Sequence, residues 1–546
     1  MTAPGLWTIG LAVGYTLLLA IGGRYVQRRA AAGEGNGGFF VGGRTFSPWT
    51  VAFCITGLFS GSSYIAIMEL SYRTGISAVW YGVAETVQVL LIALLLVKPL
   101  REKLVVTVTG IIGDRFGRAA QAVAGIITAF TFPMWSVATA IAFASALHAF
   151  TDLSIYASII VTAVLLLVFL WSGGMRAVAF TQTMNCFVFV AMLIVGVAAF
   201  LINPGFAGLR HLALERPGML DLYGAGPTLI AAWFGTFIVN VILAQAAFQM
   251  TMSCRTPEEG RKGLFMAASF GIPLIVVGVL LGTAAAVVVP NQNLPLVAVP
   301  VYIAQVLPAP LAGVFFLGIW ACALGWAGPC QFSGATSLGR DVGSALRPRA
   351  SEQDLIRYTR WSLVLLTVLM IVFAFLRTEQ SAWWNVLAWT LRNGATLAPV
   401  LAAFFWPLAT RRAALAAMIV GFAAGLIWYQ LGGWSPSKFH LGIHPVWVGM
   451  SLNVVVLIGV TLGSVRWRVT GNGVRRRRGF VAAALCLAAI GMAGLNAPLL
   501  GSSGFLGLAA FVIVVLGAIA TFLLTQASER QQDNDIPANT ERQVTV

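Results

Sequence analysis

Long apolar stretches recur along the chain and are separated by short polar segments. Most are long enough, at 1.5 Å per residue, to cross the ~30 Å hydrocarbon core of a bilayer as a helix. A helix is expected at each one, because lipid offers no water to hydrogen-bond backbone N–H and C=O groups. The pattern predicts an all-α polytopic membrane protein with thirteen to fifteen transmembrane helices. The stretches lie at about residues 6–22, 47–72, 75–97, 119–148, 155–172, 177–202, 227–252, 263–288, 309–335, 361–376, 382–407, 413–431, 445–465, 479–499 and 504–525.

The composition supports this pattern and excludes other classes. Hydrophobic residues make up 59% of the 546 residues and charged residues only 10%, whereas a soluble globular protein carries roughly 25% charged residues. The stretches do not alternate in polarity, as the strands of a membrane β-barrel do. The six cysteines and four histidines follow no metal-ligand spacing. The sequence therefore predicts no enzyme, no metal site and no cofactor.

The basic residues are distributed unevenly. The net charge is +16, and 28 of the 34 lysines and arginines lie in segments that would share one face if the helices alternate across the membrane. The positive-inside rule then places the N-terminus outside and the C-terminus in the cytoplasm of a multi-pass cell-membrane protein. The basic excess indicates topology and contact with anionic lipid, and nucleic acid is not expected as a partner.

Two membrane stretches contain polar and small residues at mid-depth. We predict that the 47–72 helix is discontinuous near Ser60–Ser63, because unwound segments of this composition bind ligands in transporters. The alternative is close helix packing through small residues. We also predict that the 227–252 helix is irregular near Gly235–Asn240, with Asn240 and Gln245 facing one cavity.

Three ionisable residues lie inside apolar stretches, namely Glu69, Glu85 and Arg392. Each costs at least ~2.5 kcal/mol if it faces lipid at the bilayer centre. Arginine stays charged at accessible pH, so Arg392 needs a counter-charge or water. The favoured interpretation is a structural or gating ion pair with Glu69 or Glu85. The alternatives are a substrate carboxylate bound by Arg392, or a water-filled vestibule.

Several motifs follow one another in a specific order. Phe39 to Arg44 is an aromatic pair that leads to Gly-Arg, and Ser60 to Ala66 is rich in serine. Thr107 to Gly117 ends in Arg-Phe-Gly. A further motif comprises Gly173, Gly174, Ala177, Val178 and Thr181. Together these motifs resemble those of the sodium/solute symporter family, with Gln182 and Asn185 replacing its aspartate and glutamine.

The resemblance implies the leucine-transporter type of fold, with two inverted five-helix repeats at about 47–202 and 227–407. The implied organisation is an anchor helix and cytoplasmic linker (1–46), a transporter core (47–410), peripheral helices (411–525) and a disordered cytoplasmic tail (526–546). The substrate is expected where the first helix of each repeat unwinds. The candidate substrate-binding residues are Gly61, Ser62, Ser63, Asn240, Gln245 and Arg392.

The resemblance also implies a sodium site built from backbone carbonyls near Ser60 and Gly61 and from two adjacent hydroxyls on a later helix. Alignment on Asp341 places those hydroxyls at Gly325 and Trp326, which have no side-chain oxygen. Trp326 is expected to fill the volume of the ion. We therefore predict weak or absent sodium dependence, and the coupling ion stays open between Na⁺ and H⁺.

The resulting function is secondary active transport of a small polar or anionic organic solute by alternating access. The alternative is a transporter-like sensor or receptor that binds solute without ion-coupled accumulation. The short segment after residue 525 disfavours the sensor, because it leaves little room for an output domain. The expected partners are the solute and the lipid bilayer, with no obligatory protein partner.

Overall fold

A computed structural model describes residues 2–34, 38–102, 107–151, 153–171, 174–292, 294–378 and 381–528. The first twelve helices are α1 (Ala3–Glu34), α2 (Gly38–Val41), α3 (Pro48–Thr74), α4 (Val79–Leu91), α5 (Val97–Glu102), α6 (Val108–Phe116), α7 (Arg118–Phe150), α8 (Ile155–Leu170), α9 (Met175–Ile202), α10 (Gly205–Glu215), α11 (Pro227–Asn240) and α12 (Gln245–Thr251). The others are α13 (Pro257–Val288), α14 (Pro295–Val306), α15 (Ala309–Thr336), α16 (Gly343–Leu346), α17 (Glu352–Leu376), α18 (Ser381–Phe405), α19 (Arg411–Leu431), α20 (Pro445–Ser464), α21 (Gly473–Leu495), α22 (Ala497–Ser502) and α23 (Leu506–Leu524).

Shorter elements join these helices. Two π-helical turns, Ile92–Leu96 and Ser337–Val342, continue α4 and α15. Single turns of 3₁₀-helix lie at Gly42–Arg44, Gly75–Ala78, Pro217–Leu220 and His440–Gly442. Two three-residue strands, β1 (Trp467–Val469) and β2 (Thr525–Ala527), pair antiparallel. Strand β2 lies at the start of the predicted tail. The rest of that tail lies outside the described residues.

All fifteen predicted apolar stretches coincide with helices, α11 and α12 together making one of them. Within the described residues, eleven helical stretches are long and apolar enough to cross a membrane, or twelve if α11 and α12 form one crossing. One of the eleven, Pro48–Pro99, has 52 residues. At 1.5 Å per residue it would measure about 78 Å as one straight helix, which exceeds any bilayer. It is instead two helices, α3 and α4, with Gly75 between them at φ 64°.

Ten core helices form two groups with matching contacts. In chain order the groups are α3, α4, α7, α8 and α9, and then α11 with α12, α13, α15, α17 and α18. The first helix of each group packs on the second of the other, as α3 does on α13 and α11 on α4. The third of each packs on the fifth of the other, as α7 does on α18 and α15 on α9. Such reciprocal contacts are typical of inverted repeats, which confirms the leucine-transporter type of fold.

The predicted discontinuity in the 47–72 helix is wrong. Helix α3 runs unbroken from Pro48 to Thr74, and the Ser47 side chain caps its first turn by accepting from the backbone N–H of Thr50. Small residues serve close packing instead. A Cβ atom on Gly57 would lie 2.1 Å from Oε1 of Gln182 on α9, so only glycine allows this approach.

The predicted irregularity in the 227–252 stretch is confirmed, and it lies a few residues further along the chain than predicted. Helix α11 ends at Asn240, helix α12 begins at Gln245, and their axes differ by 45°. The break at residues 241–244 places Asn240 at the last turn of a half-helix. The end of a half-helix inside the membrane exposes backbone and side-chain polar groups to the protein interior.

Helices α18, α19 and α20 are in backbone contact. A Cβ atom on Gly421 of α19 would lie 1.9 Å from the carbonyl oxygen of Gly394 on α18. Asn453 of α20 donates through Nδ2 to the carbonyls of Ala395 and Ala417, at 2.8 Å each. One buried amide therefore joins all three helices, because its two hydrogen bonds reach α18 and α19.

Candidate functional site

Arg392 is a buried cation near the centre of α18. Its side chain is 3% exposed. The guanidinium donates through Nη2 to Oδ1 of Asn240 and lies 4.4 Å from the ring centroid of Trp135 and 5.7 Å from that of Phe132. Its Nε has no hydrogen-bond partner, and no carboxylate of the described residues forms an ion pair with it. The positive charge is therefore held by neutral groups alone.

The predicted ion pair between Arg392 and an intramembrane glutamate is not formed in this structure. Glu69 instead accepts hydrogen bonds at the start of α18, from the Ser381 N–H at 2.9 Å, the Ala382 N–H at 3.1 Å and the Ser381 hydroxyl. A carboxylate at a helix N-terminus is stabilised by the unpaired N–H groups and by the helix dipole. Glu69 thus caps α18, and Glu85 lies in a separate cavity.

Replacing Glu69 by glutamine is expected to destabilise the protein by about 1–3 kcal/mol, because hydrogen bonds to a charged acceptor are lost at a buried helix end. Thermal unfolding in detergent measures the effect. Glu259→Gln is the matched control, since Glu259 pairs with Arg255 on a more exposed surface and such a pair contributes at most about 1 kcal/mol. Equal losses in the two variants would contradict the capping role.

Aromatic side chains from both repeats form a cluster that includes Trp135, whose ring lies against Arg392. The ring centroid of Trp389, one turn before Arg392, lies 4.5 Å from that of Phe237 and 5.9 Å from that of Trp135. Tyr81 completes the wall, 5.2 Å from Phe237 and 6.2 Å from Trp389. A buried cation with aromatic neighbours is suited to a solute that has a carboxylate and an apolar or planar body.

A chain of neutral hydrogen bonds lies at the predicted sodium positions. Gln182 donates through Nε2 to the carbonyl of Gly325 at 2.7 Å. Asn185 donates to Oε1 of Gln182 at 3.2 Å, and the Tyr15 hydroxyl donates to Oδ1 of Asn185 at 2.9 Å. These groups, called here the amide chain, connect α1, α9 and α15. An amide N–H therefore occupies the carbonyl oxygen of Gly325.

The Trp326 side chain packs against α7, and its predicted occupation of the ion's volume stays a prediction. Its indole N–H donates to the carbonyl of Trp135 at 2.9 Å, and its ring packs edge-on against the Trp135 ring. The side chain thus points towards α7, the helix that also contacts Arg392. Since the side chains of Ser60, Gly61 and Ser62 lie outside the described part of the chain, their substrate and sodium roles stay predictions.

Gln245 and Asn240 have different hydrogen-bond partners, and the cavity that they are predicted to share stays a prediction. Nε2 of Gln245 donates to the carbonyl of Ser333 at 3.1 Å and to the hydroxyl of Ser337 at 2.8 Å. Its Oε1 accepts from the N–H of Val108 at 3.3 Å. Gln245 therefore connects the break before α12 to α6 and α15. Of the predicted substrate-binding residues, the structure brings Asn240 and Arg392 into contact, and Ser63 lies with Glu85 in the separate cavity.

Sequence reasoning missed three members of these sites. Trp135 gave no signal, because an aromatic residue in an apolar stretch is ordinary. Tyr15 lies on the first helix, far from Asn185 in sequence. Gln182 did leave a signal, since it departs from the acidic residue of the family motif. Only the structure shows that the departure fills a site with hydrogen bonds.

Replacing Gly325 by alanine is expected to cost about 1–3 kcal/mol through overpacking. A Cβ atom there would lie 2.6 Å from the carbonyl oxygen of Gly57, which is backbone and cannot rotate away. Gly459→Ala is the control, because no atom lies within 4 Å of its added Cβ and alanine favours helix. A Gly325→Ala protein as stable to heat as Gly459→Ala would show that α3 and α15 are not held this close.

The chain was compared with known proteins. The sequence profile of the Sodium:solute symporter family matches residues 39–421. The chain belongs to the sodium:solute symporter family. This confirms the resemblance drawn from the ordered motifs. Because its relatives are transporters, this family member is not an enzyme.

The named relatives of this family member have low sequence identity to it. A sodium/pantothenate symporter of Haemophilus influenzae is 22% identical over 55% of the chain and 63% of its own length. The uncharacterized symporter YidK of Escherichia coli is 23% identical, with 84% of each covered. A sodium/proline symporter of Staphylococcus aureus is 22% identical over 81% of the chain and 90% of its own length. The chain thus spans less than two thirds of the first of these relatives and most of the others.

Solved structures of symporters share the fold. A Na⁺-coupled sialic acid symporter in a substrate-bound, outward-open state aligns with a TM-score of 0.67 and 15% identity. The alignment covers 83% of this chain and 97% of the other. At this identity the likeness concerns the fold alone, and it agrees with the reciprocal packing of the two helix groups.

Proposed function

We propose that this protein is a secondary symporter of the cell membrane that moves a small organic anion by alternating access, with the solute carboxylate bound at Arg392. The observation that carries the proposal is the buried guanidinium, which forms no ion pair with any carboxylate in the described part of the chain. A buried charge is costly unless it is paired and hydrogen-bonded. A bound carboxylate would supply the pairing, because arginine binds carboxylates through two parallel N–H bonds.

The position of the site agrees with this proposal. Arg392 on α18 and Asn240 on α11 belong to the second helix group, whereas Trp135 on α7 belongs to the first. Transporters of this fold bind substrate between their repeats near a broken helix. Asn240 ends the half-helix α11, so a solute held by Arg392 would touch both repeats and the break.

The names of the relatives favour the same solute class. Pantothenate, proline and sialic acid, for which three of the proteins above are named, each carry a carboxylate. A human high affinity choline transporter, 23% identical over 50% of the chain and 49% of its own length, is named for a cation instead. Arg392 would repel a cation, so its charge supports an anionic solute here.

We further propose that sodium does not bind at the position of Gly325. The amide chain supports this, because Gln182 already donates to the Gly325 carbonyl and none of its members is charged. Hard cations bind oxygen ligands, and the amide N–H of Gln182 already occupies the Gly325 carbonyl oxygen. The predicted orientation, with the N-terminus outside, and the peripheral placement of residues 411–525 remain part of this proposal.

The test is a thermal-shift screen of purified protein against organic anions, sugars and choline, each in sodium chloride and in potassium chloride. Ligands that bind the native state raise the unfolding temperature. The expected result is stabilisation by carboxylate-bearing solutes alone, equal in the two salts. Stabilisation by sugars or choline, and not by carboxylates, would overturn the solute class. Binding without uptake into proteoliposomes under any ion gradient would favour the sensor.

A further inference from the structure

Glu85 on α4 is buried beside a small cavity and is not used by the site described above. Its side chain is 4% exposed. The cavity has a volume of about 20 Å³ and lies between α3, α4 and α13, lined among others by Ser63, Tyr64, Thr86 and Ile275. A space of this size holds about one water molecule. Ser63 is at the middle of α3, so the cavity lies at mid-membrane depth.

Three polar atoms beside the cavity have no hydrogen-bond partner within the described part of the chain, whereas the Thr86 hydroxyl donates to the carbonyl of Gly82. Oε1 of Glu85, the hydroxyl of Tyr64 and the hydroxyl of Ser63 have no partner of acceptable geometry, although Ser63 lies next to the carboxyl group. Buried polar groups are normally paired, so an unpaired set around a cavity indicates an exchangeable occupant. A water molecule or a proton fits this space, and a larger solute does not.

No basic side chain among the described residues that face Glu85 offers it a counter-charge. Among the described residues facing it, α3 contributes Tyr64, α4 contributes Tyr81, and the α13 residues that line the cavity are alanine, glycine, leucine and isoleucine. Helix α11, which also packs on α4, has no titratable residue. Lys98 lies thirteen residues further along the chain, about 20 Å away on a helix. An ionised Glu85 would thus be an unpaired buried charge.

We propose that Glu85 is the binding site of a transported proton, which replaces sodium as the coupling ion. A carboxyl group in such surroundings takes up a proton instead of remaining charged. When the cavity is open to the outside, the carboxylate takes up a proton from the water there, and the neutral group then allows α3 and α13 to close on α4. When the cavity opens to the cytoplasm, the carboxyl releases that proton to water on the inner side. One proton is bound and one is released in each cycle, with no other reactant.

The proposal rests on alternating access in the proposed function, and it names the ion that drives uptake if, as proposed above, sodium does not bind at Gly325. Helices α3 and α4 belong to one repeat and α13 to the other, so their contact changes as the repeats move. A proton held there is exchanged only in a conformation that admits water. The cavity with the protonated Glu85 and the solute site at Arg392 would then close at the same step of the cycle.

Infrared spectroscopy of the full-length protein in liposomes tests the site without any solute. A protonated carboxyl group has a carbonyl stretching band that an ionised carboxylate lacks. The difference between wild type and Glu85→Gln at neutral pH is expected to contain that band. The difference between wild type and Glu69→Gln is expected to contain ionised carboxylate bands, because Glu69 is hydrogen-bonded by α18. A spectrum in which Glu85 is ionised at neutral pH would overturn the proposal. A pH titration of the infrared bands of wild type alone gives the same information without a variant.

Uptake in proteoliposomes tests coupling, using whichever carboxylate the thermal-shift screen identifies. With an acidic outside, wild type is expected to accumulate the solute, whereas Glu85→Gln is expected to lose that accumulation. Equal accumulation in both proteins would overturn the role of Glu85. If no carboxylate binds at all, the proposed function fails, and the infrared result still decides whether Glu85 holds a proton.

Discussion

Replacing Arg392 by glutamine is expected to weaken the binding of an organic anion by about 2–5 kcal/mol, or roughly thirty-fold and more. The guanidinium is the charged group at the site, and glutamine keeps a hydrogen-bond donor but no charge. The fold should survive. Removing a buried charge that lacks a partner leaves stability unchanged or raises it. Isothermal titration with the carboxylate found by screening, together with thermal unfolding, measures both quantities.

Arg377→Gln is the matched control for this experiment. The Arg377 guanidinium also stacks on an aromatic ring, 4.3 Å from the Trp383 centroid, and donates to the carbonyl of Trp434 at 2.8 Å. It lies at the end of α17, away from Asn240 and Trp135. Its replacement should alter stability more than affinity. An Arg392→Gln protein that binds the anion as tightly as wild type would refute the proposed site.

Replacing Gln182 by aspartate is expected to make stability depend on sodium. The aspartate would lose the donor to the Gly325 carbonyl and place a negative charge beside the Gly325 and Gly57 oxygens. That arrangement destabilises the fold unless a cation joins it. A cation at a hundred times its dissociation constant would restore about 2.7 kcal/mol. Thermal unfolding in sodium chloride and in potassium chloride is the measurement, and wild type should give equal values.

Gln331→Glu separates a specific site from a general charge effect. Gln331 lies on α15 and is buried, as Gln182 is on α9. Oε1 of Gln331 has no hydrogen-bond partner among the described residues. A glutamate there should destabilise the protein in both salts alike. If sodium stabilises Gln331→Glu as much as Gln182→Asp, the stabilisation by sodium comes from a general charge effect and not from a cation site beside Gln182. A wild-type protein that sodium itself stabilises would contradict the reading of the amide chain.

The sequence was sufficient to predict the helices and the family, because both depend on local apolarity and on the order of short motifs. Prediction from the sequence failed where the same residue composition is compatible with two different structures. Glycine and serine in α3 suit either unwinding or close packing, and the neighbour that decides is Gln182, on another helix. It also failed for the partner of Arg392. Which residue faces a buried charge depends on the rotation of each helix, and periodicity within one stretch does not fix that rotation.

The site residues show the same division. Asn240 and Arg392 were recognisable because polar and charged residues are rare at mid-membrane depth, and they do meet. Gln245 had the same signal, yet its amide binds backbone and hydroxyl groups of α6 and α15. A polar residue in an apolar stretch therefore predicts a buried hydrogen-bonded position. It does not distinguish a ligand contact from a structural one.

The hydrogen bonds of Asn453 bear on which helices can shift against one another. Sliding α18 along α19 or α20 would strip the Asn453 amide of its acceptors and force apart glycines whose backbones already touch. Both costs arise in a medium without water to compensate. These three helices are therefore expected to move as one unit that carries Arg392. In the proposed transport cycle, the helices on the other side of Arg392 change their distance to this unit, so the solute-binding cation keeps its place within the unit.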